Sequence, residues 1–220
     1  MVPASKFIDL SPVWQACFEE GWQAFLADNV PIGAAITDNH GKVLCQSRNR
    51  IADLSAPPRQ TCSSQIAHAE LNTILMIEGK PKGIHDWHIY SLVEPCPLCM
   101  GAIYMAGLRH IHYAFPDAYA GSTDLLGKSA YLSRKPVRTY PPETGPLYEI
   151  VAVQQMEFNL RRGERFLEVA DAIRSSSRSG SILGEQIHAE NTLQQFAAAG
   201  IPAAEVFDRL AQQLANLEAA

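Results

Sequence analysis

Two short segments, Ala67-His68-Ala69-Glu70 and Glu94-Pro95-Cys96-Pro97-Leu98-Cys99, restrict the fold of this chain more than any other feature. Cys96 and Cys99 stand three residues apart, so at the first turn of a helix their sulfurs share one face. Pro97 fits the first helical position, where no amide hydrogen is required. The positive end of that helix favours thiolate at both cysteines. Two thiolates and the imidazole of His68 are a ligand set for tetrahedral zinc. Glu70 adds a geometrical demand. Residues i and i+2 of a helix point in different directions, so His68 and Glu70 converge only on a point beyond the start of their helix. Both helix starts must then meet at one end of a sheet.

The rest of the sequence supplies such a sheet. Ile32–Ile36 and Val43–Ser47 read as short strands, and Asp38-Asn39-His40-Gly41 between them has hairpin-turn chemistry. A loop rich in Ser, Pro and Arg follows over 52–65. Then come a helix His68–Glu78, a strand His88–Val93, a helix Pro97–Gly107 and a strand His110–Phe115. A short helix Asp124–Ser133 and a last strand Tyr148–Val153 are also expected. Strands alternating with helices predict an α/β layer fold.

Flanking this block, residues 1–28 read as a helix. Val13, Trp14, Cys17, Phe18, Gly21, Trp22 and Phe25 recur at helical spacing, behind the Ser11-Pro12 start. Glu164–Arg174 is a further predicted helix. The run Ser175 to Ser181 has the composition of a flexible linker. Beyond it, Glu185–Ala199 and Ala203–Leu217 read as two helices joined by Gly200-Ile201-Pro202. Residues 179–220 carry five acids and one base, so this hairpin reads as a docking or dimerisation element rather than a nucleic-acid clamp.

With 220 residues the chain has room for one sizeable core and an extension. Its net charge of −5 argues against a partner held by its phosphate backbone. Met1–Trp22 lacks the pattern of a leader peptide. The longest apolar run, Leu98–Leu108, falls short of the ~20 residues that span a bilayer. Five cysteines at these spacings suggest metal ligation rather than disulfides, and a cytoplasmic protein is expected.

One imidazole and two thiolates leave a zinc coordination position open, as catalytic sites do. Zinc lowers the pKa of water from ~15.7 towards ~7, and an adjacent carboxylate can carry protons. Glu70 would take the water proton, deliver it to a ring nitrogen and later protonate departing ammonia. That is hydrolytic deamination of a cyclic amidine. A structural zinc site would need a fourth protein ligand, and none stands at a customary spacing. Glu70 could alternatively serve only the first turn of its helix.

The ordered set Val30-Pro31-Ile32-Gly33-Ala34-Ala35, Asn49-Arg50, His68-Ala69-Glu70, Glu94-Pro95-Cys96-Pro97-Leu98-Cys99-Met100-Gly101-Ala102-Ile103 and Tyr113-Ala114 resembles the cytidine/deoxycytidylate deaminase superfamily. The likeness is to its guanine deaminase and tRNA adenosine deaminase branch, over about residues 30–125. It implies a three-layer α/β/α fold with a mixed sheet of about five strands, here with a C-terminal helical extension. It also implies Zn2+ on His68, Cys96 and Cys99, Glu70 as the catalytic residue, and substrate contacts from the Asn49 side chain and the Ala69 backbone. A homodimer is implied as well. The expected division is a deaminase domain over 1–174, a linker over 175–183 and a helical hairpin over 184–220. Two departures stand out: the long loop between Asn49 and His68, and the hairpin after Ser175.

Other motifs have plainer readings. Glu94 is expected to order the Pro95 turn, and Asn49 could be turn chemistry alone. His188-Ala189-Glu190 repeats the first motif without following cysteines and reads as an accident of a helix surface. Cys17, Cys45 and Cys62 read as small hydrophobes, and His110 and His112 as structural residues on one strand face. The favoured substrate is a free base or nucleoside, with a guanine-type purine first. Gly101–Ala106 and His112-Tyr113-Ala114 look most like the guanine deaminase branch. The alternatives are a tRNA adenosine deaminase and a non-catalytic zinc-binding scaffold subunit.

Overall fold

The computed structural model describes residues 6–219. Helix α1 (Pro12–Leu26) begins with Pro12 at its first position, behind the extended Ser11. Strands β1 (Gly33–Thr37) and β2 (Val43–Arg48) form the expected hairpin. Asp38 Oδ1 accepts from the amides of His40 (2.9 Å) and Lys42 (3.0 Å), which closes the turn. There follow α2 (Ala69–Leu75), β3 (His88–Val93), α3 (Pro97–Ala106), β4 (His110–Phe115) and a two-residue β5 (Arg138–Thr139).

The sheet order is β2-β1-β3-β4-β5. Pairing is antiparallel for β1 with β2 and with β3, and parallel from β3 to β4 and β4 to β5. The alternation of strand side chains separates two faces. Ile36, Ile89 and Ile111 point to one face and pack with Met100, Ile103 and Leu108 beneath α2 and α3. Ala35, Leu92 and Ala114 point to the other, where α1 and the later helices lie. The expected mixed sheet with helices on both sides is the fold observed.

Three expectations need correction. Tyr148–Val153 is not a strand but part of α4 (Pro146–Arg161). This helix packs against β4 on one side and against later helices on the others. Eleven of its residues are buried, so it has no wet face to impose a helical period on the sequence. A continuous apolar run of this kind cannot be told from a buried strand by periodicity. The short helix expected over 124–133 is a single 3-10 turn, Thr123–Leu125, followed by turns.

The third correction concerns the Ser-rich stretch. It is not a flexible linker: α5 (Leu167–Ser176) and α6 (Arg178–Glu190) meet across Ser177 alone. Ser177 Oγ caps α6 by accepting from the Gly180 amide at 3.0 Å, and the hydroxyl also bonds Glu149 of α4. A Cβ on Gly180 would lie 2.6 Å from the Cβ of Ala152, and one on Gly184 2.6 Å from the Cβ of Met156. These small residues serve close approach of two helices rather than flexibility.

Helices α7 (Thr192–Ala198) and α8 (Ala203–Glu218) complete the chain. The apolar stripe of α8 is covered by the protein's own N-terminal region. Phe207 meets Phe18 edge-on at 5.2 Å, the Phe7 amide donates to Asp208 Oδ1 at 2.7 Å, and Trp22 Nε1 donates to the Ile201 carbonyl at 3.0 Å. The stripe read as a docking element therefore docks within the same chain. Among the described residues no helix is long and apolar enough to cross a membrane.

Candidate metal centre and catalytic site

Two helix starts meet at one end of the sheet. His68 is the extended residue before α2, and Glu70 is the second residue of that helix. Cys96 stands in the same way before α3, where Pro97 takes the first helical position, and Cys99 follows within the first turn. The chain reaches these places because β3 ends at Val93 and Glu94-Pro95 turns it into α3. Glu94 orders that turn: its carboxylate accepts from the amides of Thr123 (3.1 Å) and Asp117 (3.3 Å), and Ser122 donates to the Pro95 carbonyl at 3.0 Å.

His68 Nδ1 lies 3.4 Å from Cys96 Sγ and 3.5 Å from Cys99 Sγ. Ligands of tetrahedral zinc at ordinary Zn–N and Zn–S lengths stand about 3.5 Å apart along such an edge. The donor atoms of these three residues all lie within 4.8 Å of one another, and among the described residues theirs is the one such cluster. Soft sulfur with imidazole suits zinc. The residues therefore fit the ion, and among the described residues no fourth His, Cys or carboxylate joins the cluster. His188-Ala189-Glu190 lies at the end of α6, outside any cluster.

The electrostatics match a cation site. Cys96 is pushed down to about 4 by the hydrogen bond it shares with Cys99, helped by His68. Cys99 is raised, first by that same hydrogen bond and then by burial. Thiolate is the form in which cysteine ligates a metal, so binding of a cation would release any proton held there. His68 is raised, chiefly by its hydrogen bond to Cys96.

Glu70 is 4% exposed, and burial raises its carboxyl above the ordinary range. Ser91 Oγ donates to Oε1 at 3.0 Å, and Cys99 Sγ lies 3.4 Å from Oε2. Ser91 was missed by sequence reasoning. Its one signal is a lone hydroxyl in the buried strand His-Ile-Tyr-Ser-Leu-Val, where a polar group needs a partner.

Asn49 follows β2 directly and is buried, with its amide donating to the Ile32 carbonyl at 3.0 Å. Its Oδ1 accepts from the Ile51 amide at 3.2 Å, and its Nδ2 has no partner among the described residues. Ala69 is fully buried in the first turn of α2. The loop over 52–66 is not loose. Gln60 Oε1 accepts from Arg50 Nε (2.6 Å) and Ser47 Oγ (2.8 Å), and the Thr61 amide donates to Asn72 Oδ1 at 2.8 Å. His110 and His112 stand on the α1/α4 side of the sheet in a ring stack, away from the donor cluster. Cys17, Cys45 and Cys62 are free thiols outside it.

This geometry is that of a zinc-binding deaminase domain, and the chain belongs to the cytidine and deoxycytidylate deaminase family. The family model for the cytidine and deoxycytidylate deaminase zinc-binding region matches residues 9–115. A tRNA-specific adenosine deaminase from Agrobacterium fabrum is 31% identical over 127 residues, which cover 56% of this chain and 73% of that one. A guanine deaminase from Bacillus subtilis is 25% identical over 129 residues, covering 57% and 75%. The fold is similar to that of the solved guanine deaminase from Nitrosomonas europaea, with a TM-score of 0.51 at 19% identity over 68% of this chain and 85% of that one. The chain spans 66%, 56% and 9% of the length of three further curated relatives. Relatives with tRNA in their names remove the reason to exclude a nucleic-acid partner on net charge.

Proposed function

We propose that the chain catalyses hydrolytic deamination of an amino-substituted nucleobase or nucleoside, with a guanine-type purine favoured. The observation that carries this reading is the position of Glu70. Its carboxylate is buried beside a three-membered donor cluster, with one oxygen held by Ser91 and the other beside Cys99.

His68, Cys96 and Cys99 would hold zinc, which when bound acidifies water so that a nucleophile is available near neutral pH. The chain's own residues do the remainder. Asn49, with Oδ1 committed to the Ile51 amide, offers Nδ2 to an acceptor on the substrate. The Ala69 backbone, in the first turn of α2, offers a second contact. Glu70 in its ionised form accepts the proton of the attacking water as the C–O bond forms at the amino-bearing carbon. It delivers that proton to the adjacent ring nitrogen, then takes the remaining proton from the hydroxyl now bonded to carbon and passes it to the amine, so that the C–N bond breaks, ammonia leaves and a carbonyl remains. Burial, which raises the Glu70 pKa, suits a group that must both take and return a proton.

A guanine-type substrate is favoured by the likeness of Gly101–Ala106 and His112-Tyr113-Ala114 to that branch. The second reading, deamination of a tRNA adenosine, is favoured by the 31% identity to the Agrobacterium fabrum protein. An ammonia-release screen over guanine, adenine, cytosine, their nucleosides, triazines and an RNA stem-loop separates the two. The Glu70→Gln variant should keep zinc and lose turnover by about 10²–10⁴-fold. Near wild-type release by that variant would remove Glu70 from the mechanism, and a zinc-loaded wild type inert on the whole panel would favour a scaffold role.

A further inference from the structure

Arg48 and Arg50 flank Asn49, and both close on a single carboxylate. Arg48 grips Asp53 with two nitrogens, Nη1 to Oδ1 at 3.2 Å and Nη2 to Oδ2 at 2.7 Å. Arg50 Nη1 meets Oδ2 at 2.7 Å, and Asn29 Nδ2 donates to Oδ1 at 2.6 Å. The clamp thus ties together the residues on either side of Asn49, where β2 ends at Arg48 and the turn closed by the Asp53 amide on the Arg50 carbonyl (3.2 Å) begins. It is also shielded: the side chains of Arg48, Arg50 and Asp53 are 14%, 12% and 9% exposed. Burial alone would disfavour the Asp53 charge, but hydrogen bonds from Arg48, Arg50 and Asn29 outweigh it and hold the carboxyl below its ordinary value.

The same clamp reaches the metal ligands through the backbone. The Arg50 amide donates to the Ala67 carbonyl at 2.9 Å, one residue before His68. This bond is the neck of the long 51–66 loop, and Asp53 stands just inside it. Gln60 also holds Arg50, and the Asn49 amide is bonded to Ile32, but the clamp is the contact that joins both neighbours of Asn49 to one group. Forked guanidinium–carboxylate pairs carry geometric specificity as well as energy, and a displacement of about 1 Å in a substrate-orienting group can cost ~10²-fold in rate.

We propose that Asp53 is a positioning residue: by holding Arg48 and Arg50 on either side of Asn49, it sets the place of that amide relative to Glu70 and the His68/Cys96/Cys99 cluster. The proposal rests on the deaminase reading above, with Asn49 as a substrate contact. Asp53 itself touches no substrate. Its loss should appear in substrate affinity and leave the metal untouched.

The test is a double-variant cycle of Asp53→Asn with Asn49→Ala, using the best substrate from the ammonia screen and metal analysis of each protein. Asp53→Asn should raise KM about 10- to 100-fold with kcat changed far less and zinc at the wild-type ratio. In the Asn49→Ala background it should add little, because the group it positions is gone. A wild-type KM, or the same fold-loss in both backgrounds, overturns the proposal. If Asp53→Asn does not fold, Arg50→Lys keeps the charge and loses the fork; it should raise KM in the same way, and an unchanged KM there is equally fatal. An active wild type with an indifferent Asp53 variant sinks this inference alone, whereas an inert wild type sinks the deaminase reading and this inference with it.

Discussion

Ser91 Oγ donates to Glu70 Oε1 across 3.0 Å, from the middle strand of the sheet to the first turn of α2. A hydrogen bond to an ionised partner contributes about 1.5–3 kcal/mol. Burial already pushes the Glu70 carboxyl up, and removing a donor favours its neutral form further. Ser91→Ala should therefore move the acid limb of the kcat/KM–pH profile upward by about one to two units. The base must be ionised to accept the water proton, so activity is lost first on the acidic side. A profile whose acid limb stays in place would show that Ser91 does not act on Glu70.

The donor cluster makes a second prediction. Dialysis against a strong chelator should abolish turnover and lower the melting temperature, because zinc stabilises only the folded state that assembles its ligands. Adding zinc back should restore both. Cys96→Ala should bring bound zinc well below one ion per chain, while Cys62→Ser, outside the cluster, should keep it. Equal zinc content in the two variants would place the metal elsewhere.

Sequence alone picked out His68, Cys96 and Cys99, which the fold gathers into one donor cluster, because their logic is local: Cys96-Pro97-Leu98-Cys99 and His68-Ala69-Glu70 each carry the chemistry of a helix start. It reached the strands His88–Val93 and His110–Phe115 to the residue, since β-branched and aromatic residues in short runs bounded by turns leave little choice. Ile150, Val151 and Val153 misled because α4 is buried on every side and shows no polar stripe. Ser91 and Asp53 were illegible for another reason. Their partners lie on other segments, and pairings such as Ser91 with Ala34 or Arg48 with Asp53 exist only after the sheet and loop have formed.

The Ser-rich stretch yields a prediction whose sign separates the two readings of it. A Cβ on Gly180 would lie 2.6 Å from the Ala152 Cβ and 2.8 Å from the Glu149 carbonyl oxygen. A backbone atom cannot retreat as a flexible side chain can, and overpacking costs about 1–3 kcal/mol. Gly180→Ala should lower the melting temperature by about 2–4 °C for each kcal/mol lost. In a flexible linker the same change would stabilise by about 0.4–1 kcal/mol through the unfolded chain. A raised melting temperature would thus contradict the close packing of α6 on α4.

The last prediction concerns the ring stack on the α1/α4 face of the sheet. His112 lies flat between Tyr90 (4.3 Å) and Tyr140 (4.0 Å), and its Nε2 meets His88 Nδ1 at 2.8 Å. One ring must donate and the other accept, so the pair cannot carry a proton on both facing nitrogens. Burial, then the nearby His88 and His110, push His112 down to about 4. His88 is lowered by burial and His110, and His110 by burial and Arg138, with Asp86 opposing. An unfolded chain takes up these protons near the ordinary value of about 6.5, so between roughly 6.5 and 4 it binds more protons than the folded one. Stability must then fall as pH falls through that window. Carboxylates titrate in the lower part of it as well, so the comparison is with His112→Phe, which keeps a flat ring between the two tyrosines. The variant should lose less melting temperature than wild type between pH 7 and pH 4.5. Parallel curves for the two proteins would mean that this imidazole takes no part in the acid sensitivity of the fold.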